Sequence, residues 1–126
     1  MNYKGGFQEL EAWQESRKLR MLISNLVKTF PLEEKYLLVQ QIIRSARSVT
    51  ANIAEGYGRF HFKETIQFLR QARGSLFETI DHLITSLDEG HISQATFAEA
   101  EEQALLAMRL INGYIRYLEK SKKETS

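Results

Sequence analysis

The 126-residue chain contains no cysteine, a single proline and only seven glycines. Without cysteine there is no disulfide, no thiolate nucleophile and no cysteine-ligated zinc, which suits a reducing compartment. With so few glycines and prolines, long segments run without a break, which favours helices over a turn-rich β fold. The sequence also lacks a run of about 18 apolar residues and a signal-peptide core, so we expect a cytoplasmic protein with no membrane partner.

What the sequence does contain is ordinary for a soluble globular protein. Apolar residues make up 43% of the chain, charged residues 26%, and the formal net charge is +1. These values argue against disorder, and the length corresponds to one domain with a sizeable core. We therefore predict a single domain over residues 1–126, with flexible ends at 1–6 and 121–126.

Apolar residues recur every three or four positions in four long segments, which is the period of helices packed on one side. The pattern predicts helices over residues 8–28, 32–55, 62–88 and 94–120. Pro31 separates the first two helices, and Ser93 is placed to be the N-cap of the fourth. Four helices with short connections predict an all-α fold, most simply an antiparallel up-down-up-down four-helix bundle.

Glycines mark two positions of interest in this arrangement. Gly56 and Gly58 stand where the second helix should end, and Gly56 suits the residue just past a helix terminus. Because no strand precedes them, they predict a tight turn rather than a phosphate-binding loop. Gly74 falls in the middle of the third helix, where glycine costs ~1 kcal/mol relative to alanine, so we expect it to permit a close helix contact.

A polar stripe follows one face of the second predicted helix. Its members recur every fourth residue: Gln40, Arg44, Ser48 and Asn52. In a structural interpretation the stripe lies at a contact between helices or subunits, where Arg44 pairs with Glu55 or Glu78. In a functional interpretation Arg44 and Arg47 contact phosphate. The structural interpretation is favoured, because polar residues at helix contacts occur in hydrogen-bonded sets.

Positive charge concentrates near the junction of the second and third helices. Residues 40–74 contain six Arg and Lys against two Glu, whereas residues 93–103 contain three Glu and no cation. The candidate nucleic-acid-binding residues are Arg47, Arg59, Lys63, Arg70 and Arg73. Tyr57 or Phe60 would stack on an unpaired base beside them. The alternative is a solvated surface in which each cation has a Glu partner.

No residue pattern predicts catalysis, a metal or a cofactor. Di-iron bundles need a Glu three residues before a His, and none of His61, His82 and His91 has one. Ser48 and Ser75 have no Asp–His pair recognisable by spacing. We therefore expect no catalytic residues, no cofactor and no enzymatic activity.

The fourth predicted helix is apolar over more of its circumference than a monomer needs. One strip contains Met108, Ile111 and Ile115, and a second contains Leu106, Leu110 and Tyr117. A second apolar strip is typical of a subunit contact, although one broad core-facing strip explains the same residues.

Several short strings give the chain a resemblance to a known family. They are Phe7, Leu10, Trp13-Gln14, Phe30-Pro31, Glu34, Gln40, Arg44, Ala46, Ser48, Asn52-Ile53-Ala54-Glu55-Gly56, Gly58-Arg59, Phe68-Leu69, Ala72-Arg73-Gly74-Ser75 and Glu78. In these residues the chain resembles the four-helix-bundle proteins encoded in intervening sequences of 23S ribosomal RNA genes. Accessory proteins of diversity-generating retroelements are similar in fold. One departure is His61, where the family usually has a small hydroxyl residue.

The resemblance implies an antiparallel four-helix bundle, commonly assembled as a ring-like homopentamer. It implies no established enzymatic activity, and it implies nucleic-acid binding, with a reverse transcriptase as partner in the retroelement branch. Our prediction is therefore a non-enzymatic homo-oligomer that binds RNA or DNA. The alternative is a protein-interaction scaffold with no nucleic-acid ligand.

Overall fold

The computed structural model describes residues 5–125, with side chains up to residue 121. Four α-helices, α1 to α4, span Glu11–Leu26, Leu38–Tyr57, Phe62–Asp88 and Gln94–Thr125. Short 3-10 turns occupy Phe7–Glu9, Val27–Thr29 and Leu32–Glu34. No strand occurs within residues 5–125, and the all-α prediction is confirmed. Of the ends predicted to be flexible, residues 1–4 and 126 lie outside the described residues.

The four helices pack in a ring in which each contacts the next and α4 returns to α1. Hydrogen bonds fix the direction of neighbouring helices. Ser45 of α2 meets Thr79 of α3, and Ser48 meets Ser75, so the residue numbers run in opposite directions along the two helices. The α3 and α4 helices are antiparallel by the same reasoning, because Arg70 meets Glu119 and Arg73 meets Asn112.

One hydrophobic cluster draws residues from all four helices. Its fully buried large aliphatic side chains include Leu19, Ile23, Ile42, Ile53, Leu69, Leu76, Leu83 and Ile111. On α4 the strip of Met108, Ile111 and Ile115 is buried, whereas Tyr117 of the second strip is 65% exposed. The 3.6-residue periodicity therefore identified the core-facing side of each helix.

The α1 and α2 helices begin later than predicted, because the residue before each of them has a non-helical backbone. Leu10 has an extended backbone, so α1 begins at Glu11 rather than near residue 8. The α2 helix begins at Leu38, six residues after the predicted start, because Leu37 has non-helical dihedral angles. In that preceding segment Glu34 lies 2.8 Å from Nε2 of His91 in the α3–α4 turn, which ties the two connections at this end of the bundle.

The α3–α4 connection forms as its sequence predicts. Gly90 has a φ of +76°, the left-handed conformation that favours glycine. The backbone N–H groups of Gly90 and His91 donate to the carbonyls of Leu87 and Ser86, which closes α3 in a Schellman motif. Ser93 Oγ then accepts the N–H of Thr96 at 3.1 Å, so its N-cap role is confirmed. The α4 helix continues to Thr125, beyond the predicted end at residue 120.

The predictions for Gly56 and Gly74 were both wrong. Gly56 lies inside α2, which ends at Tyr57. A Cβ on Gly56 would stand 2.8 Å from Phe68 Cβ and 3.3 Å from the Thr65 carbonyl oxygen, so its missing side chain lets α3 approach. Gly74 is exposed, and no described atom lies within 4 Å of the corresponding Cβ position. The close contact predicted for Gly74 therefore occurs at Gly56.

Candidate nucleic-acid interface

The polar stripe of α2 lies along the α2–α3 contact. The Oγ atoms of Ser48 and Ser75 are 2.9 Å apart. Asn52 Nδ2 donates to the carbonyl and hydroxyl oxygens of Ser48 at 2.9 and 3.0 Å. One turn away, the buried Thr79 hydroxyl donates to Ser45 Oγ at 2.9 Å. These bonds satisfy polar groups inside the contact between α2 and α3, which we call the seam. The structural interpretation requires such bonds.

Arg44 and Glu78 form an ion pair across the same seam. Nε2 of His82 lies 3.1 Å from Glu78 Oε2 on the same helix. The hydrogen bond with His82 is the largest influence on the pKa of the Glu78 carboxyl, and it lowers that pKa. Partial burial raises the pKa, whereas the hydrogen bond and positive charge of Arg44 lower it further. The net result is a pKa of Glu78 below its ordinary value. Of the two carboxylates proposed for Arg44, the structure selects Glu78.

Glu55, the other proposed partner of Arg44, and Gln40 of the stripe lie outside this network. Glu55 pairs with Arg59 at 3.2 Å, one turn further along the chain. Gln40 is exposed, and its side chain makes no hydrogen bond to any residue within the described range. The stripe thus contacts α3 through Arg44 and Ser48, Asn52 bonds back to Ser48 within α2, and Gln40 lies at the surface.

The five predicted nucleic-acid-binding residues lie in three separate places. Arg59 lies in the turn between α2 and α3, and Lys63 lies next to that turn, at the start of α3. The Arg59 guanidinium stands 4.7 Å above the Phe68 ring centre and also pairs with Glu55, so it is held in position. Lys63 is exposed, and no carboxylate of the described residues lies within ion-pair distance of it.

The other three cations flank the α2–α3 pair on opposite sides. Arg70 pairs with Glu119 at 3.3 Å, and Arg73 donates to Asn112 Oδ1 at 2.9 Å, so both turn toward α4. Arg47 instead lines a cleft between α1 and α2, together with Arg20. The single patch expected from the sequence is therefore divided between the turn, the α3–α4 side and the α1–α2 side.

Aromatic side chains accompany the cations at the turn. Phe60 is 91% exposed, and its ring meets His61 edge-on at 5.2 Å. Tyr57 is 39% exposed on the last turn of α2. Burial is the main cause of the raised pKa of Tyr114, and the nearby Tyr57 and Tyr117 hydroxyls raise it further. Three tyrosines from α2 and α4 thus gather at the end of the bundle that carries Arg59 and Lys63.

A further set of cations, on the side formed by α1 and α2, was missed by the sequence reasoning. Arg17, Arg20 and Lys28 lie on or just after α1, and no carboxylate of the described residues lies within ion-pair distance of them. The sequence did contain a signal for this surface, because residues 16–32 and 35–54 include no Asp or Glu.

Other kinds of site are not apparent in the part of the chain that the structure describes. No group of three or more His, Asp and Glu side chains within it is arranged to hold a metal ion. None of its helices is both long and apolar enough to cross a membrane.

The sequence matches the family model described as 23S rRNA-intervening sequence protein over residues 8–113. The chain belongs to this family. A solved structure is also similar: a protein of unknown function from the S23 ribosomal protein family of Bacteroides thetaiotaomicron. It is 24% identical, the match covers 82% of this chain and 97% of the other, and the TM-score is 0.76, so the likeness is one of fold. No curated protein matches the sequence.

Membership of the 23S rRNA-intervening sequence protein family confirms the resemblance stated above. The matched residues 8–113 include the whole polar stripe and all five predicted basic residues. They also include Arg17, Arg20 and Lys28 on the α1–α2 side. Glu119, the partner of Arg70, lies beyond the matched region.

Proposed function

We propose that this 23S rRNA-intervening sequence protein is a non-enzymatic, homo-oligomeric module that binds RNA or DNA. The observation that carries the proposal is the turn at residues 57–63, which exposes aromatic rings between cations. Phe60, at 91% exposure, gains nothing from the protein core and presents a free ring face to a base. Lys63 lies three residues further along the chain and has no carboxylate partner among the described residues, so its ammonium group is available to bind a phosphate.

Arg59 contributes a prearranged guanidinium to this surface. Its contacts with Glu55 and the Phe68 ring restrict its rotamers, so less conformational entropy is lost when it meets a ligand. The Glu55 carboxylate also offsets the positive charge of Arg59, which makes base stacking as important here as ionic attraction. This combination favours single-stranded nucleic acid, whose bases are free to stack.

The proposal extends to assembly and partners. The family resemblance implies a ring-like homopentamer, and a ring would present the turn five times, so weak single contacts would combine into a useful avidity. In a retroelement context the protein partner would be a reverse transcriptase. The proposed location is the cytoplasm, where such nucleic acids are found.

Binding to a fluorescently labelled single-stranded RNA, measured by anisotropy at several salt concentrations, tests the proposal. Affinity should fall steeply as salt rises, because phosphate contacts release counterions. Phe60→Ala should weaken binding by about 1–3 kcal/mol, the usual contribution of one base–aromatic stack. Tyr36→Ala is the matched control, since Tyr36 is 74% exposed but lies on the connection at the other end of the bundle. Absence of binding to RNA and DNA at ~50 mM salt would overturn the proposal.

A protein-interaction scaffold is the second candidate, and one observation favours it. Phe77 and Ile84 of α3 and Leu105 of α4 are 60%, 42% and 46% exposed on the α3–α4 side. The Arg44, Ser48 and Asn52 contacts, in contrast, are made within the chain. Arg44→Ala or Asn52→Ala should therefore lower the stability of the bundle, whereas changes on the α3–α4 side should affect association.

A further inference from the structure

A cleft between α1 and α2 combines two arginines with an apolar wall. Its volume is about 130 Å³, and Arg20 and Arg47 border it from the two helices. Ser24 contributes a hydroxyl group, and Met21 and Ile43 contribute apolar surface. The cleft is separate from the turn at residues 57–63 that carries the proposed function.

Arg20 is the unusual member of this group. It is half-buried, and its Nη1 atom donates to Thr50 Oγ1 at 2.9 Å. A hydroxyl group positions the guanidinium but does not neutralise it, and no carboxylate of the described residues lies within ion-pair distance. Arg44, Arg59 and Arg70 each have such a carboxylate. A partly desolvated cation without a counter-charge is unfavourable, so an anion at this position would stabilise it.

The surroundings favour an anion as well. The facing segments 16–32 and 35–54, which border the cleft, contain no carboxylate to oppose its cations. Arg47 is exposed, and no described carboxylate pairs with it. Arg17 lies one turn before Arg20, where its guanidinium rests 5.8 Å from the Trp13 ring centre. A ligand entering the cleft therefore meets a positive electrostatic potential.

We propose that the α1–α2 cleft is a binding site for a phosphate ester. The forked donors of Arg20 and Arg47 match phosphate oxygens, and Ser24 supplies a neutral donor beside them. Met21 and Ile43 would contact the carbon skeleton next to the phosphate. A volume of about 130 Å³ gives room for the phosphate group, and the rest of the ester would extend out of the cleft. The phosphate belongs either to a free nucleotide or to the backbone of a bound strand.

Nuclear magnetic resonance of ¹⁵N-labelled protein tests this site directly. The protein is titrated at constant ionic strength with AMP and, separately, with a short single-stranded RNA. The Nε–H signals of Arg20 and Arg47 should shift together and saturate, whereas that of Arg109, on a helix that does not line the cleft, should not. Saturation at lower concentration by AMP identifies a free nucleotide as the source, and saturation at lower concentration by RNA identifies a strand.

Two variants complete the experiment. Arg47→Gln changes an exposed side chain and should leave the fold intact while weakening binding by about tenfold or more, the effect of losing a charged hydrogen bond. Arg20→Gln should weaken it at least as much. The proposal is overturned if neither probe gives saturable shifts, or if the variants bind as tightly as the original chain. Either failure leaves the turn at residues 57–63 unaffected, since that surface is tested by Phe60→Ala.

Discussion

Buried hydroxyl groups in this bundle differ in whether they find a hydrogen-bond partner. Ser45 is fully buried, donates to the Ile42 carbonyl at 3.1 Å and accepts from Thr79. Thr65 donates to the Gly56 carbonyl at 2.9 Å. Ser16, only 1% exposed, has no partner for its Oγ among the described residues. Sequence alone cannot separate these cases, because whether a hydroxyl is satisfied depends on what the neighbouring helix brings to it.

Replacing Ser16 should therefore have the opposite effect to replacing Ser45. Ser16→Ala removes an unsatisfied buried hydroxyl group and adds helix propensity, so we expect a gain of roughly 0.5–1 kcal/mol in the free energy of unfolding. Ser45→Ala removes the bonds of Ser45 to Thr79 and to the Ile42 carbonyl, while Thr79 keeps the Ser75 carbonyl as an acceptor at 2.9 Å, so we expect a loss of about 0.5–1.5 kcal/mol. Urea denaturation of the two variants beside the original chain measures both effects. A loss of stability in Ser16→Ala would mean that the hydroxyl group is satisfied.

The Arg44–Glu78 pair was within reach of sequence reasoning, whereas the environment of Arg20 was not. Spacing placed Arg44 on a polar face and offered two carboxylates, and the antiparallel register of α2 and α3 selected Glu78. No spacing rule shows that a cation lacks a counter-charge, because the absence depends on all neighbours in three dimensions. The absence of acidic residues from the facing segments 16–32 and 35–54 was the nearest available signal.

The lowered pKa of Glu78 predicts an effect on stability that depends on pH. A carboxylate whose pKa is lower in the folded state stabilises the fold above its ordinary value of about 4.3, and that stability is lost as the pH falls through the lowered pKa. Glu78→Gln should thus reduce stability at pH ~7 by roughly 0.2–1 kcal/mol, the range for a solvent-exposed pair, and progressively less as the pH is lowered below about 4. Urea denaturation over this pH range measures the effect. Glu102→Gln, at an exposed site inside α4 with no ion pair among the described residues, serves as control.

At the level of helices, the α2–α3 pair is the most tightly constrained part of the bundle. The seam combines the Ser48–Ser75 and Ser45–Thr79 hydrogen bonds with the close approach at Gly56. Periodicity predicted the helices and their buried faces, because packing on one side requires it. It could not predict the starts of α1 and α2, since the backbones of Leu10 and Leu37 are non-helical in this fold. Nor could it tell which of two helical glycines lies in the contact.

Replacing Gly56 and Gly74 by alanine should distinguish the effect of helix packing on stability from that of helix propensity. Gly56→Ala would place a Cβ 2.8 Å from Phe68 Cβ, so α3 must move, and we expect a loss of about 1–3 kcal/mol. Gly74→Ala meets open space and should gain up to ~1 kcal/mol from helix propensity. Thermal or urea denaturation of both variants provides the measurement. Equal effects in the two variants would contradict the close contact at Gly56.

Across the whole molecule, charge and apolar surface are distributed unequally. Residues 81–102, at the α3–α4 connection, contain six Asp and Glu and no Arg or Lys, whereas residues 16–32 and 35–54 carry only positive charge. An approaching polyanion would therefore be oriented toward the α1–α2 side and away from the α3–α4 connection. If nucleic acid bound the α1–α2 side, as proposed, the α3–α4 side would stay available for contact with another protein subunit.

The exposed apolar residues of the α3–α4 side form a continuous strip. Phe77 and Ile84 are seven residues apart and so lie on one face of α3. The Arg73–Asn112 bond sets the register of α3 against α4, and seven residues further along this antiparallel pair Ile80 lies level with Leu105. Leu105 therefore falls between Phe77 and Ile84 along the bundle. Exposed apolar surface that is continuous across two helices is typical of a subunit interface.

Phe77→Asp is the variant that tests assembly through this strip. Phe77 is 60% exposed, so its replacement should leave the helical circular dichroism unchanged, while a charge in a subunit contact should shift the mass toward the monomer. Light scattering at several protein concentrations measures the mass, and Tyr36→Asp, at a comparably exposed aromatic residue on the α1–α2 connection, is the control. If Phe77→Asp and Leu105→Asp both keep the mass of the original chain, the subunits associate through another surface. If Tyr36→Asp alone dissociates them, the contact lies at the end of the bundle that carries Glu34 and His91.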